Sequence, residues 1–177
     1  MALDFKKTQK ELYNPKTTPS IVDVPQMTFI KVDGQGDPNT SAEYSSAVEL
    51  LYSLSYNIKM NNKKILDYVV LPLEGFWDWD ESKDKTKFKW TALIRQPDFV
   101  NAQIFEKAKE EVKKKKDYLD VNRATLITIE EGLCVQAMHI GSYDDEERTI
   151  KSLHSFAEEN GYAIDIGENR RHHEIYL

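Results

Sequence analysis

Phe29-Ile30-Lys31-Val32-Asp33-Gly34 sets the plan of this chain: a short β-rich run that ends in turn formers and hands over to a helix. The run begins at Met27, and the turn continues through Gln35-Gly36-Asp37-Pro38. Thr40 and Glu43 stand at capping-box spacing, where a hydroxyl and a carboxylate each satisfy a free backbone N–H. Tyr44, Ala47, Val48, Leu51, Leu54 and Ile58 then form one apolar stripe at helical spacing. Lys59, Lys63 and Lys64 suit the negative end of that helix. Downstream, Gln136-Ala137-Met138-His139-Ile140-Gly141 repeats the plan and also runs into an acidic, capped helix.

The segments between these two runs complete the pattern. Asp67–Trp77 alternates as a strand, with Val69, Leu71 and Leu73 apolar and Tyr68, Val70 and Glu74 on the other parity. Phe88–Arg95 is its return strand, stopped by Pro97, so the pair reads as a β-hairpin with a long polar tip over Trp77–Lys85. A helix is predicted over about 99–117, with Phe105, Ala108 and Val112 inward and Lys113–Lys116 as a solvated basic end. Ala124–Ile129 and Leu133–Ile140 read as strands flanking a turn at Glu130-Glu131-Gly132. A third helix starts near Asp144, uses Ile150, Leu153, Phe156 and Ala157, and stops at Gly161.

The fold expected from this order is α+β, with a β-α-β-β unit used twice in one antiparallel sheet. Helices would cover one face, and the other would hold a central ligand groove. The repeat halves span about 27–97 and 124–177, joined by the helix at about 99–117, and together they make the body, 27–177. Residues 1–26 carry Pro15, Pro19 and Pro25 among polar residues and read as an extended N-terminal arm.

The last six residues, His172-His173-Glu174-Ile175-Tyr176-Leu177, alternate as a strand. His172, Glu174 and Tyr176 share one face, which sets a carboxylate between an imidazole and a phenol. Strand parity is expected to group Tyr68, Glu74, Glu174 and Tyr176 toward the groove. Glu174, partly desolvated, would hold a proton more readily, as a general base needs. Tyr68 would hold a ligand carbonyl or position water. Glu74 would serve as a second acid or orient Tyr68. Trp77 and Trp79 flank the hairpin tip and suit a flap over a flat ligand. Trp90, opposite in parity to Thr91, suits core packing.

Composition excludes several classes. The chain has 177 residues, 40% hydrophobic and 31% charged, which suits a soluble globular protein. A net charge of -6 argues against a general nucleic-acid binder. The N-terminus lacks the apolar core of a signal peptide, no run is long enough for a membrane span, and a cytoplasmic location is expected. Cys134 is the single cysteine and reads as a buried apolar residue. Adjacent His172 and His173 point to opposite faces and do not share an ion, so no metal site is expected. No phosphate loop, haem motif or other cofactor signature is present.

Taken together, Glu11-Leu12-Tyr13, Val22-Asp23-Val24-Pro25, Asp33-Gly34-Gln35-Gly36-Asp37-Pro38, Leu51-Tyr52-Ser53-Leu54-Ser55-Tyr56, Pro72-Leu73-Glu74-Gly75-Phe76-Trp77, Ile94-Arg95-Gln96-Pro97-Asp98 and His172–Leu177 resemble the GyrI-like small-molecule-binding family, in particular its stand-alone bacterial branch. The resemblance implies a duplicated β-α-β-β fold with a ligand groove. It also implies an aromatic pocket in which a glutamate, here Glu174, meets flat cationic molecules. Members of that branch are implicated in hydrolysing the cyclopropane ring of genotoxic DNA alkylators, which protects the cell. The alternative is a non-catalytic module that sequesters ligand or binds a protein such as DNA gyrase. This sequence lacks the DNA-binding segment of the family's regulators. The family pattern runs on past Leu177 for a few polar residues and a proline, which implies a longer C-terminus.

Overall fold

A computed structural model of the chain describes residues 1–78 and 84–177. They form two compact units. One gathers Met1–Asp4, Met27–Ile129 and Arg171–Leu177, and the other gathers Phe5–Gln26 and Glu130–Arg170. The fold is α+β with antiparallel sheets, as the strand and helix order predicts. The strands are divided between two sheets rather than joined in one.

The second unit opens with two single-turn helices, α1 (Phe5–Thr8) and α2 (Lys10–Tyr13), and continues into β1 (Ser20–Val24). Residues expected to be an extended arm are therefore partly helical. The proline-bearing stretch 14–19 stays non-helical, and β1 gains a partner that local sequence does not reveal.

The first unit is built on a five-stranded sheet. Its strands are β2 (Met27–Gln35), β3 (Leu73–Asp78), β4 (Lys89–Gln96), β5 (Ala124–Ile129) and β7 (His172–Ile175), in the order β5-β2-β4-β3-β7. β2 runs through the expected turn at Asp33-Gly34, because Asp33 and Gly34 pair with Thr91 and Trp90 of β4. Gly34 is required there: a Cβ would lie 2.2 Å from the Trp90 indole. α3 (Ala42–Asn61) buries Ala47, Leu50, Leu51, Leu54 and Ile58, each leucine contributing about 1.5–3 kcal/mol by its burial. Its cap is Ser41, whose hydroxyl accepts the Tyr44 N–H, one residue later than the Thr40–Glu43 box predicts. α4 (Ala102–Lys115) starts at the Asn101 cap and packs on α3 through Phe105, Ala108 and Val112.

In the second unit, β6 (Gly132–Gln136) pairs antiparallel with β1, and α5 (Glu146–Glu159) packs on β6. β5 and β6 thus flank a turn without forming a hairpin. Gly132, at φ +65, supplies the left-handed residue of that turn. Among the described residues, no helix is long and apolar enough to cross a membrane.

Candidate functional site

Register decides which side chains meet. In β3 and β7, Gly75 pairs with Glu174, Trp77 with His172, Phe76 with His173 and Glu74 with Ile175. Directly opposed residues share a face. Gly75, Trp77, His172 and Glu174 therefore share one face, and Glu74, Phe76, His173 and Ile175 share the other. β3 also pairs with β4, so Trp90, Ala92 and Ile94 belong with the first set. Tyr44 of α3 stacks edge-on against Trp90 and tilts against Trp77, and Gln96 donates to Ser55 of α3. The Glu174 face is thus the one that carries α3.

This corrects the expected parity. Glu74 and Glu174 do not share a face, and Glu174 does not lie opposite the helices. The physical reason is the two-residue period of a strand: a shift of one residue in the β3–β7 register exchanges the faces. α3 nevertheless leaves the Glu174 side chain 15% exposed, because it packs on β2 and β4 and β7 lies beyond β3 at the sheet edge.

Four of the side chains singled out by sequence form a continuous chain of hydrogen bonds. The Trp77 indole N–H donates to Tyr176 Oη at 2.9 Å. Tyr176 Oη donates to Glu174 Oε2 at 2.5 Å, and His172 Nε2 stands 3.2 Å from Glu174 Oε1. An indole nitrogen only donates, so the direction Trp77 to Tyr176 to Glu174 is fixed. Burial, then the Glu174 charge and hydrogen bond, push the Tyr176 phenol well above its ordinary range, so it stays a donor at any working pH. Gly75 makes the chain possible: a Cβ there would lie 2.7 Å from Trp77 Nε1 and 3.0 Å from Tyr176 Oη.

The helix supplies two more aromatic side chains that sequence reasoning left in the core stripe or passed over. Tyr44 sits 6.2 Å from Trp77, ring to ring. The Tyr52 hydroxyl reaches the Leu73 backbone N–H and its ring stacks on Tyr56. Their signal was present as the spacing Tyr44, Val48, Tyr52, Tyr56, a flank beside the core stripe.

On the opposite face, Glu74 is 2% exposed, and its Oε1 lies 2.8 Å from His173 Nε2. It pairs with an imidazole on the face opposite Glu174, which corrects its expected place beside Glu174. The His173 ring packs on Phe76 at 4.5 Å. Arg171 extends the same back face: Nε donates to Asp78, Nη1 donates to the Thr91 hydroxyl, and that hydroxyl donates to Asp33. Tyr68 is 1% exposed and packs edge-on against Phe99. Its hydroxyl has no hydrogen-bond partner among the described residues, and burial pushes the phenol up to about 12. A side chain this enclosed is a core residue, which corrects its expected place beside a ligand. Trp79 lies outside the described residues.

Residues 17–177 match the model of the GyrI-like small molecule binding domain. Three solved structures from Listeria innocua are similar over nearly the whole chain. An uncharacterized conserved protein is 45% identical with TM-score 0.93, covering 99% of this chain and 90% of its own. A protein described as a hydrolase is 44% identical with TM-score 0.91, covering 99% and 93%. A hydrolase encoded by lin2189 is 44% identical with TM-score 0.92, covering 100% and 90%. No curated protein matches the chain.

Proposed function

The chain belongs to the GyrI-like small molecule binding family, and we propose that it binds flat, apolar or cationic molecules at Glu174 and hydrolyses strained, cyclopropane-containing electrophiles there. The observation that carries this reading is the Glu174 carboxylate, held by Tyr176 and His172 on a half-buried floor beside Trp77 and Tyr44. An anion among aromatic faces attracts a flat cation, because both the charge and the ring quadrupoles favour it. The same carboxylate is a base for water. Two similar structures, each described as a hydrolase, support catalysis over binding alone.

In the proposed step, Glu174 takes a proton from water as the oxygen bonds to a ring carbon. The strained carbon–carbon bond breaks, and its electron pair passes to the electron-withdrawing group conjugated with the ring. The proton held by Glu174 then neutralises that group. Tyr176 and Trp77 contribute by fixing the carboxylate so that one oxygen stays oriented while the other accepts the proton. Such general-base assistance is worth about 10²–10⁴ in rate. Protection of the cell from genotoxic alkylators is the role this chemistry would serve.

The test is incubation with a cyclopropane-containing DNA alkylator, with ring-opened product followed by mass spectrometry. Glu174→Gln is expected to lower turnover about 10²–10⁴-fold. Equal turnover by both proteins would refute the mechanism. Tight binding of intact compound without turnover would favour a sequestering module instead.

A further inference from the structure

Two aromatic pairs involving α3 lie at opposite ends of β3. At one end, Tyr44 at the start of α3 meets Trp77 near the end of β3. At the other, the Tyr52 hydroxyl reaches the N–H of Leu73, the first residue of β3, and its ring stacks on Tyr56 at 6.4 Å. α3 therefore runs antiparallel to β3 along its flank. Two independent rulers give the separation. Eight helical residues from Tyr44 to Tyr52 rise about 12 Å. Four strand residues from Leu73 to Trp77 rise about 13 Å.

Tyr52 also marks where the sheet ladder ends. The Leu73 carbonyl accepts the Tyr176 N–H at 3.0 Å, so the Leu73 peptide groups point toward β7. Past Ile175 the strand is finished, and the Tyr52 phenol takes the place of a strand partner at the Leu73 N–H. Tyr52 thus stands at the sheet edge beside Tyr176, while Tyr56 is 51% exposed. Between the two aromatic ends lies the Glu174–Tyr176 pair, with Trp77 Nε1 and Tyr176 Oη seated over the backbone of Gly75.

We propose that this site selects elongated molecules with a flat group at each end, about 12 Å apart, spanning from Tyr44–Trp77 to Tyr52–Tyr56 with the reacting or charged centre at Glu174. The inference rests on the reading of Glu174 as a ligand-facing carboxylate and adds the length and two-ended shape of the ligand. A single flat cation occupies one end only and forgoes the second stacking contact. Each exposed to half-buried cation–π or stacking contact contributes enough for a several-fold to tenfold change in affinity.

Two bis-pyridinium probes separate these ideas, since they share charge and rings and differ in length. One carries a decamethylene linker, which bridges the two ends, and the other a tetramethylene linker, which does not. Calorimetric titration of the wild-type chain is expected to show the long probe binding about tenfold tighter than the short one. Tyr56→Ala and Tyr52→Leu should abolish that preference by weakening the long probe. Tyr56 is half-exposed, so its variant keeps the test valid if Tyr52→Leu fails to fold. Equal affinity for both probes in the wild type, or a length preference that survives in Tyr56→Ala, overturns the two-ended site. If both probes bind without preference and Glu174→Gln weakens both, the Glu174 reading stands and the length inference alone falls. If neither probe binds, both fall.

Discussion

Gly75→Ala tests whether the Trp77–Tyr176–Glu174 chain has the geometry described. Gly75 pairs with Glu174 on one side and Ala92 on the other, and its missing side chain would point onto the Glu174 face. A methyl there meets Trp77 Nε1 at 2.7 Å, Tyr176 Oη at 3.0 Å and Trp77 Cε2 at 3.3 Å. Trp77 and Tyr44 are in ring contact, so the indole has a neighbour to displace as it gives way. Forcing a methyl into such a site costs about 1–3 kcal/mol. Losing the Trp77–Tyr176 hydrogen bond costs about 1 kcal/mol more. Replacing a strand glycine returns about 0.5–1 kcal/mol of chain entropy. The steric and hydrogen-bond losses win, and the net destabilisation is about 1–3 kcal/mol. For a chain of this size that lowers the melting temperature by roughly 2–12 °C, at 2–4 °C per kcal/mol. Thermal unfolding gives the stability, and the Trp77 indole N–H resonance in a nitrogen–proton correlation spectrum reports the hydrogen bond directly. An alanine variant with wild-type stability and an unmoved Trp77 indole resonance would refute the reasoning.

His173→Ala removes the hydrogen-bond partner of Glu74, whose second oxygen has no partner among the described residues, and leaves a side chain that is 2% exposed. Leaving a buried acceptor without its hydrogen bond costs about 1–3 kcal/mol; a loss under about 1 kcal/mol in denaturant titration would show that the pair contributes little. Tyr68→Phe deletes a buried hydroxyl that has no partner among the described residues, so it should stabilise by about 1 kcal/mol and leave ligand binding unchanged. It should also flatten the alkaline limb: the folded state holds this proton up to about 12 while the unfolded chain releases it near 10, so the wild type loses stability as pH rises through that window. A drop in binding or turnover for Tyr68→Phe would restore the phenol to the site. Asp33 is pulled in two directions, raised by burial and lowered by hydrogen bonds from Lys31 and Thr91 and by the Lys31 and Arg171 charges, and the lowering wins. Its stabilising contribution is present above the ordinary aspartate range and lost as pH falls below it, so Asp33→Asn should flatten the stability profile below about pH 4, read by acid unfolding.

The sequence made the strand and helix order legible because that order rests on short-range pattern. The α3 stripe, the Gly161 stop and the β3–β4 hairpin all follow from periodicity and turn residues. What it did not carry is pairing at long range. The β1–β6 partnership joins residues more than a hundred positions apart, and neither strand has a feature that names the other. The site was legible in the same measure. Within β7, parity placed His172, Glu174 and Tyr176 together, and the structure keeps them together. Between β3 and β7, parity has no common origin until the register is known, and Glu74 was assigned to the wrong face for that reason. Tyr44 was read as core because a helix flank that covers a neighbouring strand looks like the edge of a core stripe.

The observed register has an electrostatic reason. A slip of one residue would set Glu74 directly opposite Glu174, with both carboxylates on one face. Like charges about 5 Å apart repel by roughly 3 kcal/mol at an effective dielectric of 20. The same slip would carry Tyr176 away from Gly75 and Trp77 and separate Glu74 from His173. The register seen instead gives each glutamate its own imidazole, His172 for Glu174 on the α3 side and His173 for Glu74 behind it. It also gives Glu174 a glycine as its cross-strand neighbour, which clears the floor for the Trp77–Tyr176 bond. β3 and β7 therefore bring one carboxylate to the face that carries the aromatic residues.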